Sequence, residues 1–188
     1  DAEAREAFAI ADRVLGFPLS AMCWNGPAEE LKKSVNTQPA LLTHSVAAWR
    51  LMDASGITPD FVAGHSLGEY SANVAAGTFA FADAVRIVRH RGRYMQEAVA
   101  AGEGAMAAIL GLDEDGVRKA CDEAAEGDVV SPANLNAPGQ IAIAGSTAAV
   151  GRAVERAKAL GARRAVRLQV SAPFHCALME PAARRLEP

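Results

Sequence analysis

The chain has 188 residues, 51% of them hydrophobic and 22% charged, with a formal net charge of −3. That balance belongs to a globular domain able to bury a core, and it excludes a general electrostatic pull toward nucleic acid or an anionic membrane surface. No apolar run reaches about 20 residues, the length of a membrane span. Cys23, Cys121 and Cys176 are odd in number, widely separated and without CxxC spacing. They argue against a disulfide framework or a zinc site and for a reducing cytoplasm.

The opening segment DAEAREAFAIADRVLG lacks the charged-then-apolar order of a signal peptide and predicts an amphipathic helix over residues 1–15. Its start without methionine, and the stop at Glu187-Pro188 soon after a loop, read as an excised fragment. A second helix is expected over 37–55, carrying Leu41, Leu42, Val46, Trp49 and Leu51 and ending near Gly56. The pattern then changes. Phe61-Val62-Ala63 reads as a short strand, Gly64 as a tight turn, and Ser71 to Ala76 as a small-residue helix closed by Gly77.

A helix over 81–98 follows, and Gly102 and Gly104 mark a break. Beyond it the expected order is strand 105–111, helix 114–125, strand 128–134, strand 140–145, helix 147–160 and strand 163–169. This βαββαβ succession is the ferredoxin-like arrangement, with Asn136-Ala137-Pro138-Gly139 reversing the chain between the middle strands.

Gly64-His65-Ser66-Leu67-Gly68 fits G-x-S-x-G, the sharp strand-to-helix turn that lifts a serine hydroxyl above a sheet. Glycine two positions to either side is expected to avoid collision with that turn. The Leu67 amide, at the N-terminus of the following helix, is the candidate donor to a developing oxyanion. Ser66 also begins an S-x-x-E string with Glu69, so simple helix capping is the competing explanation.

A serine nucleophile needs a base, and histidine is the commonest. His65 adjoins Ser66 but is expected to pack behind the turn; His44 and His90 fall in helical patterns. His175, in the loop-like stretch after the last strand, is the best placed.

The helix over 81–98 holds four arginines. At 100° per residue, Arg91 falls about 50° from the centre of the apolar face, against about 110°, 150° and 170° for Arg89, Arg93 and Arg86. Only Arg91 is expected to point inward, toward a bound carboxylate or a structural Asp or Glu.

Gly64 to Ser71 as a string resembles the active-site motif of malonyl-CoA:acyl carrier protein transacylases and the acyltransferase domains of fatty acid and polyketide synthases. Thr37-Gln38-Pro39-Ala40, Arg91 to Gln96, Gly104 to Ala108, Asn134 to Gln140 and Pro173-Phe174-His175-Cys176 resemble that family too, in its order. The resemblance implies an α/β fold, a partial α/β-hydrolase-like core with an inserted ferredoxin-like subdomain. Residues 1–102 would be core, 103–171 the subdomain and 172–188 the return carrying the histidine loop.

It implies Ser66 as nucleophile, His175 as base and Arg91 as malonyl clamp. It further implies substrate contacts from His65, Met95, Asn134, Asn136 and Phe174, the last in its malonyl-selective form; a turn before Pro138-Gly139 explains the asparagines nearly as well. The expected reaction passes a malonyl group from malonyl-CoA to acyl carrier protein. No metal or bound cofactor is expected, since coenzyme A thioester and phosphopantetheine enter as substrates. Two competitors stand beside it: an α/β-hydrolase passing acyl groups to water, with Asp83 or Asp113 completing the triad, and a noncatalytic fragment lacking the family's flanking segments.

Overall fold

The structure, a computed structural model, describes residues 2–187. Asp1 and Pro188, at the outer ends of the first predicted helix and of the predicted return segment, lie outside the described residues. The chain divides into two compact units, one ending at Arg93 and the other beginning at Tyr94.

The first unit is helical. It contains α1 (Ala2–Leu15), α2 (Leu19–Asn25), α3 (Ala28–Leu31), α4 (Ser34–Ala54), α5 (Leu67–Ala75) and all but the last turn of α6 (Phe81–Glu97). Gly16, at φ 73°, ends α1 in a conformation that L side chains disfavour. The Asp12 carboxylate then accepts from the Ser20 amide at 2.9 Å, tying down the start of α2. Ala7 and Ala11, one helical turn apart, pack with Leu42, Val46 and Ala47 of α4 and with Phe81, Ala84, Val85 and Val88 of α6. The alanines keep the helices close, and each buried Leu, Val or Phe contributes about 1.5–3 kcal/mol.

Two features of this unit differ from the sequence reading. The helix expected from 37 begins at Ser34 and runs through Pro39. Phe61-Val62-Ala63, expected as a strand, has none, and Phe61 is 93% exposed. A strand exists only through a hydrogen-bonded neighbour, and all four strands among the described residues lie in the other unit.

The second unit contains β1 (Gly104–Leu110), α7 (Glu114–Ala125), β2 (Val130–Ala137), β3 (Gln140–Ser146), α8 (Thr147–Ala159), β4 (Arg164–Arg167), a 3-10 turn (Ala177–Met179) and α9 (Glu180–Arg184). The strands form an antiparallel sheet in the order β2-β3-β1-β4. Asp113 caps α7 by accepting from the Gly116 amide at 2.9 Å, and Ser146 caps α8 through Ala149 at 3.3 Å. Pro138 and Gly139, the latter at φ 70°, make the tight turn between paired Ala137 and Gln140. The strand ends differ from the predicted ones by a few residues: β2 runs on to the turn, and β4 is confined to the residues paired with β1.

The two faces of the sheet are distinct. Ala107, Ile109, Ile141 and Ile143 face Val117, Cys121, Val150 and Val154 of α7 and α8, forming the main core of this unit. Met106, Ala142 and Ala144 line the opposite face, against Ala133, Phe174 and Cys176. Gly104 permits that approach, because a Cβ there would lie 2.4 Å from the Pro173 ring.

Candidate active site

Ser66 stands between an irregular segment and the first turn of α5, with φ 53° and ψ −107°. For a residue with a Cβ this is a sparsely populated conformation that surrounding contacts must maintain. Gly64 explains how the turn closes: a Cβ on it would meet the Gly68 carbonyl carbon at 1.9 Å and oxygen at 2.0 Å. Gly68 departs from the expectation, since a Cβ there would meet nothing within 4 Å. The turn crowds its entry and leaves its exit open.

The Ser66 side chain makes no capping hydrogen bond to α5, so helix capping does not explain it. Its Oγ instead accepts from Arg91 Nη2 at 3.0 Å. Arg91 Nη1 donates to Gln38 Oε1 at 2.7 Å, and the guanidinium carbon lies 5.6 Å from the centre of the Tyr70 ring. Arg91 is half-buried and Gln38 is 7% exposed. Burial pushes the Arg91 guanidinium below the usual arginine range, while Tyr70 and Glu69 act in the opposite direction. The planar fork thus has Nη1 on the neutral Gln38 amide and Nη2 on the Ser66 hydroxyl.

The close pass of α6 across α4 makes this possible. A Cβ on Gly92 would lie 2.4 Å from the Ser34 carbonyl oxygen, so glycine lets the two backbones meet. Two residues of the turn before Gly92 then address the first turns of α4. Arg91 reaches Gln38, and Arg89 reaches Val35 and Asn36.

Arg89 was expected to face solvent. It is half-buried, donates to the Val35 carbonyl at 2.7 Å and to Asn36 Oδ1, and lies 4.8 Å from the centre of the Phe17 ring. A helical wheel assigns a Cα direction, and a long side chain curls back from that direction to a buried acceptor.

The other predicted residues are distributed as follows. His65 is exposed beside Ser66, not packed behind the turn as expected, because no strand orders the segment before it. Leu67 is the first residue of α5; the amides of Gly68 and Glu69 are engaged with the carbonyls of His65 and Ser66. His175 belongs to the second unit, exposed and at φ 61°. Phe174 packs both with Met95 and with the sheet face of Met106. Asn134 lies in β2 opposite Ala142, whereas Asn136 sits at an irregularity of that strand and is exposed. His44 and His90 are exposed on their helices.

Gln38 carries the sharpest contact in the site and was not singled out from sequence. The sequence carried no signal for it beyond its place in the Thr37-Gln38-Pro39-Ala40 string. Among the described residues there is no group of three His, Cys, Asp or Glu able to hold a metal, and no single helix long and apolar enough to cross a membrane.

A serine held in a strained turn at a helix start, with a half-buried arginine on its hydroxyl, is the arrangement this unit presents. Residues 2–187 match the profile of the acyl transferase domain, and the chain belongs to that family. Among its relatives, the malonyl CoA-acyl carrier protein transacylase of Escherichia coli (strain K12) is 59% identical over 182 residues, covering 96% of this chain and 59% of that protein.

Two solved structures extend the comparison. An acyl carrier protein S-malonyltransferase from Vibrio cholerae superposes with a TM-score of 0.96 at 52% identity, covering 99% of this chain and 61% of that one. A malonyl-transacylase solved in complex with its type II polyketide synthase acyl-carrier protein gives a TM-score of 0.97 at 52% identity, covering 99% and 60%. The chain thus spans about three fifths of the length of the relatives it matches.

Proposed function

We propose that the protein transfers a malonyl group from malonyl-CoA to the phosphopantetheine thiol of an acyl carrier protein, through an ester on Ser66. The observation that carries this reading is the guanidinium of Arg91 beside the Ser66 hydroxyl, at 3.0 Å. An acyl group esterified to Oγ and bearing a carboxylate on a three-carbon chain can fold that carboxylate back onto the guanidinium. A neutral acetyl group has nothing to offer it.

In the proposed reaction His175 takes the Ser66 proton as Oγ attacks the thioester carbonyl, and the developing oxyanion accepts from the Leu67 amide. The carbon–sulfur bond then breaks and coenzyme A leaves as the thiol with that proton. The carrier thiol repeats the sequence in reverse order of roles and restores the Ser66 hydroxyl. Coenzyme A thioester and phosphopantetheine enter as substrates, and the scheme uses no bound cofactor. Met95 and Phe174, in one apolar cluster, would shape the acyl path, with His65, Asn134 and Asn136 as polar contacts.

On the same reading residues 1–102 are part of an α/β-hydrolase-like core and 103–171 a ferredoxin-like insertion, with 172–188 returning to the core with the histidine loop. The strand order β2-β3-β1-β4, with both helices on one face, supports the insertion. The exposure of Phe61 and Val62 supports a core strand whose neighbours lie outside this chain. Three free cysteines suit a cytoplasmic enzyme.

Intact-mass measurement of the full-length protein after mixing with malonyl-CoA tests the reading. One malonyl adduct is expected, absent in Ser66→Ala and discharged by holo acyl carrier protein. Loss of the adduct to water at the same rate with or without the carrier would instead make the protein a hydrolase.

A further inference from the structure

Pro39 sits inside α4, five residues after its start at Ser34. A proline has no amide hydrogen, so the helical acceptor four residues earlier, the Val35 carbonyl, receives no donor from its own helix. An orphaned carbonyl in the interior costs about 1–3 kcal/mol unless another donor reaches it.

That donor is Arg89 Nη1, at 2.7 Å from Val35 O. The same nitrogen also donates to Asn36 Oδ1. Asn36, 5% exposed, passes the connection on by donating Nδ2 to the Glu30 carbonyl at 2.7 Å. The neighbouring Thr37 hydroxyl anchors to the Leu31 carbonyl at 2.5 Å. The first turns of α4 are therefore tied from outside, at the place where proline interrupts them. Gln38, immediately before that proline, holds Arg91.

We propose that Arg89 is a positioning residue for acyl selection: by supplying the hydrogen bond that Pro39 withholds, it fixes the α4 turn bearing Gln38, and through Gln38 it sets the orientation of the Arg91 fork beside Ser66. The inference rests on the malonyl-transfer reading and adds a residue that touches no substrate. Arg89 and Arg91 lie three residues and one residue before Gly92 on α6, so one crossing of α6 over α4 serves both contacts. The acyl group whose discrimination depends on Arg89 is the one carrying a carboxylate, because only that group senses how the fork is turned.

The test measures kcat/KM for malonyl-CoA and for acetyl-CoA with the full-length protein. Arg89→Ala should lower the malonyl-to-acetyl ratio about tenfold, the loss expected when a charge-assisted hydrogen bond goes. Acetyl transfer should stay within about twofold. Arg89→Lys, which keeps one donor for the carbonyl, should retain most of the ratio. Pro39→Ala restores an amide to Val35 O, so Pro39→Ala combined with Arg89→Ala should regain selectivity that Arg89→Ala lost.

Equal losses for both thioesters, or a double variant no more selective than Arg89→Ala, would overturn the proposal. If Arg89→Ala does not fold, the double variant is read against Pro39→Ala and the parent: a ratio equal to theirs supports the proposal, and one about tenfold lower overturns it. A parent protein whose malonyl preference is indifferent to Arg91→Ala would instead overturn the functional reading beneath it.

Discussion

Arg91 Nη2 donates to Ser66 Oγ at 3.0 Å, joining residues 25 positions apart in sequence, and Gln38 holds the other edge of the same guanidinium. Ser66, Arg91 and Gln38 are thus a single hydrogen-bonded unit, with the arginine half-buried. Replacing Arg91 by alanine should lower kcat/KM for malonyl-CoA by about 100-fold while leaving acetyl-CoA nearly unchanged. Steady-state kinetics with both thioesters checks this, and an unchanged ratio rejects the clamp.

The two glycines of the Ser66 turn should respond differently to the same change. Gly64→Ala forces a Cβ into the Gly68 peptide at 1.9 Å, which only backbone movement can relieve, so it should destabilise by about 3 kcal/mol or more. Gly68→Ala, with open space around it and a helical position, should fall within about 1 kcal/mol of the parent, on the stabilised side. Thermal unfolding of the two variants decides between this asymmetry and symmetric glycine requirements.

Gly92→Ala tests the helix crossing. Its Cβ would lie 2.4 Å from the Ser34 carbonyl, and moving α6 away from α4 separates Arg91 from Gln38 and Arg89 from Val35 together. Malonyl selectivity should fall along with stability. Retained selectivity in a destabilised variant would detach the site from the crossing.

Cys121 provides a pH dependence. Its thiol is 1% exposed, and burial first, with Asp122 second, raises its pKa from 9.0 to about 12. A raised folded pKa means that the fold retains a proton which the unfolded chain releases above 9.0. The contribution is therefore complete below 9.0 and declines as pH rises from 9.0 to about 12. Urea unfolding at about pH 8 and about pH 10 should show a steeper loss for the parent than for Cys121→Ala. Native Cys121 should also resist thiol reagents that modify it once the chain is unfolded.

Asp113→Ala removes the acceptor of the Gly116 amide at the start of α7 and should cost about 1 kcal/mol, with Asp113→Ser retaining most of it. Chemical denaturation gives the difference directly.

The second unit was largely legible in the sequence because its elements satisfy themselves locally. Short apolar runs in 105–111 and 140–145, helical patterns in 114–125 and 147–160, and Pro138-Gly139 between strands each name an element whose partner is also in this chain. The 61–63 strand failed for the opposite reason: its apolar pattern describes a segment that requires neighbours, and the described residues provide none in that unit. Arg89 was misjudged because a wheel angle records where a side chain starts, while its end lies with a carbonyl 54 residues earlier.

By itself the sequence determined the local chemistry: a serine in a glycine-framed turn and an arginine on the apolar side of α6. Each follows from residue type and from spacing of a few positions. Only the tertiary structure decided which groups meet. It gave Ser66 a positive φ instead of a capping bond, assigned Gln38 and not an acid to Arg91, and brought Arg89 to the carbonyl Pro39 left open. The two arginine contacts depend on how closely α6 crosses α4 at Gly92, a distance set by packing between segments far apart in the chain.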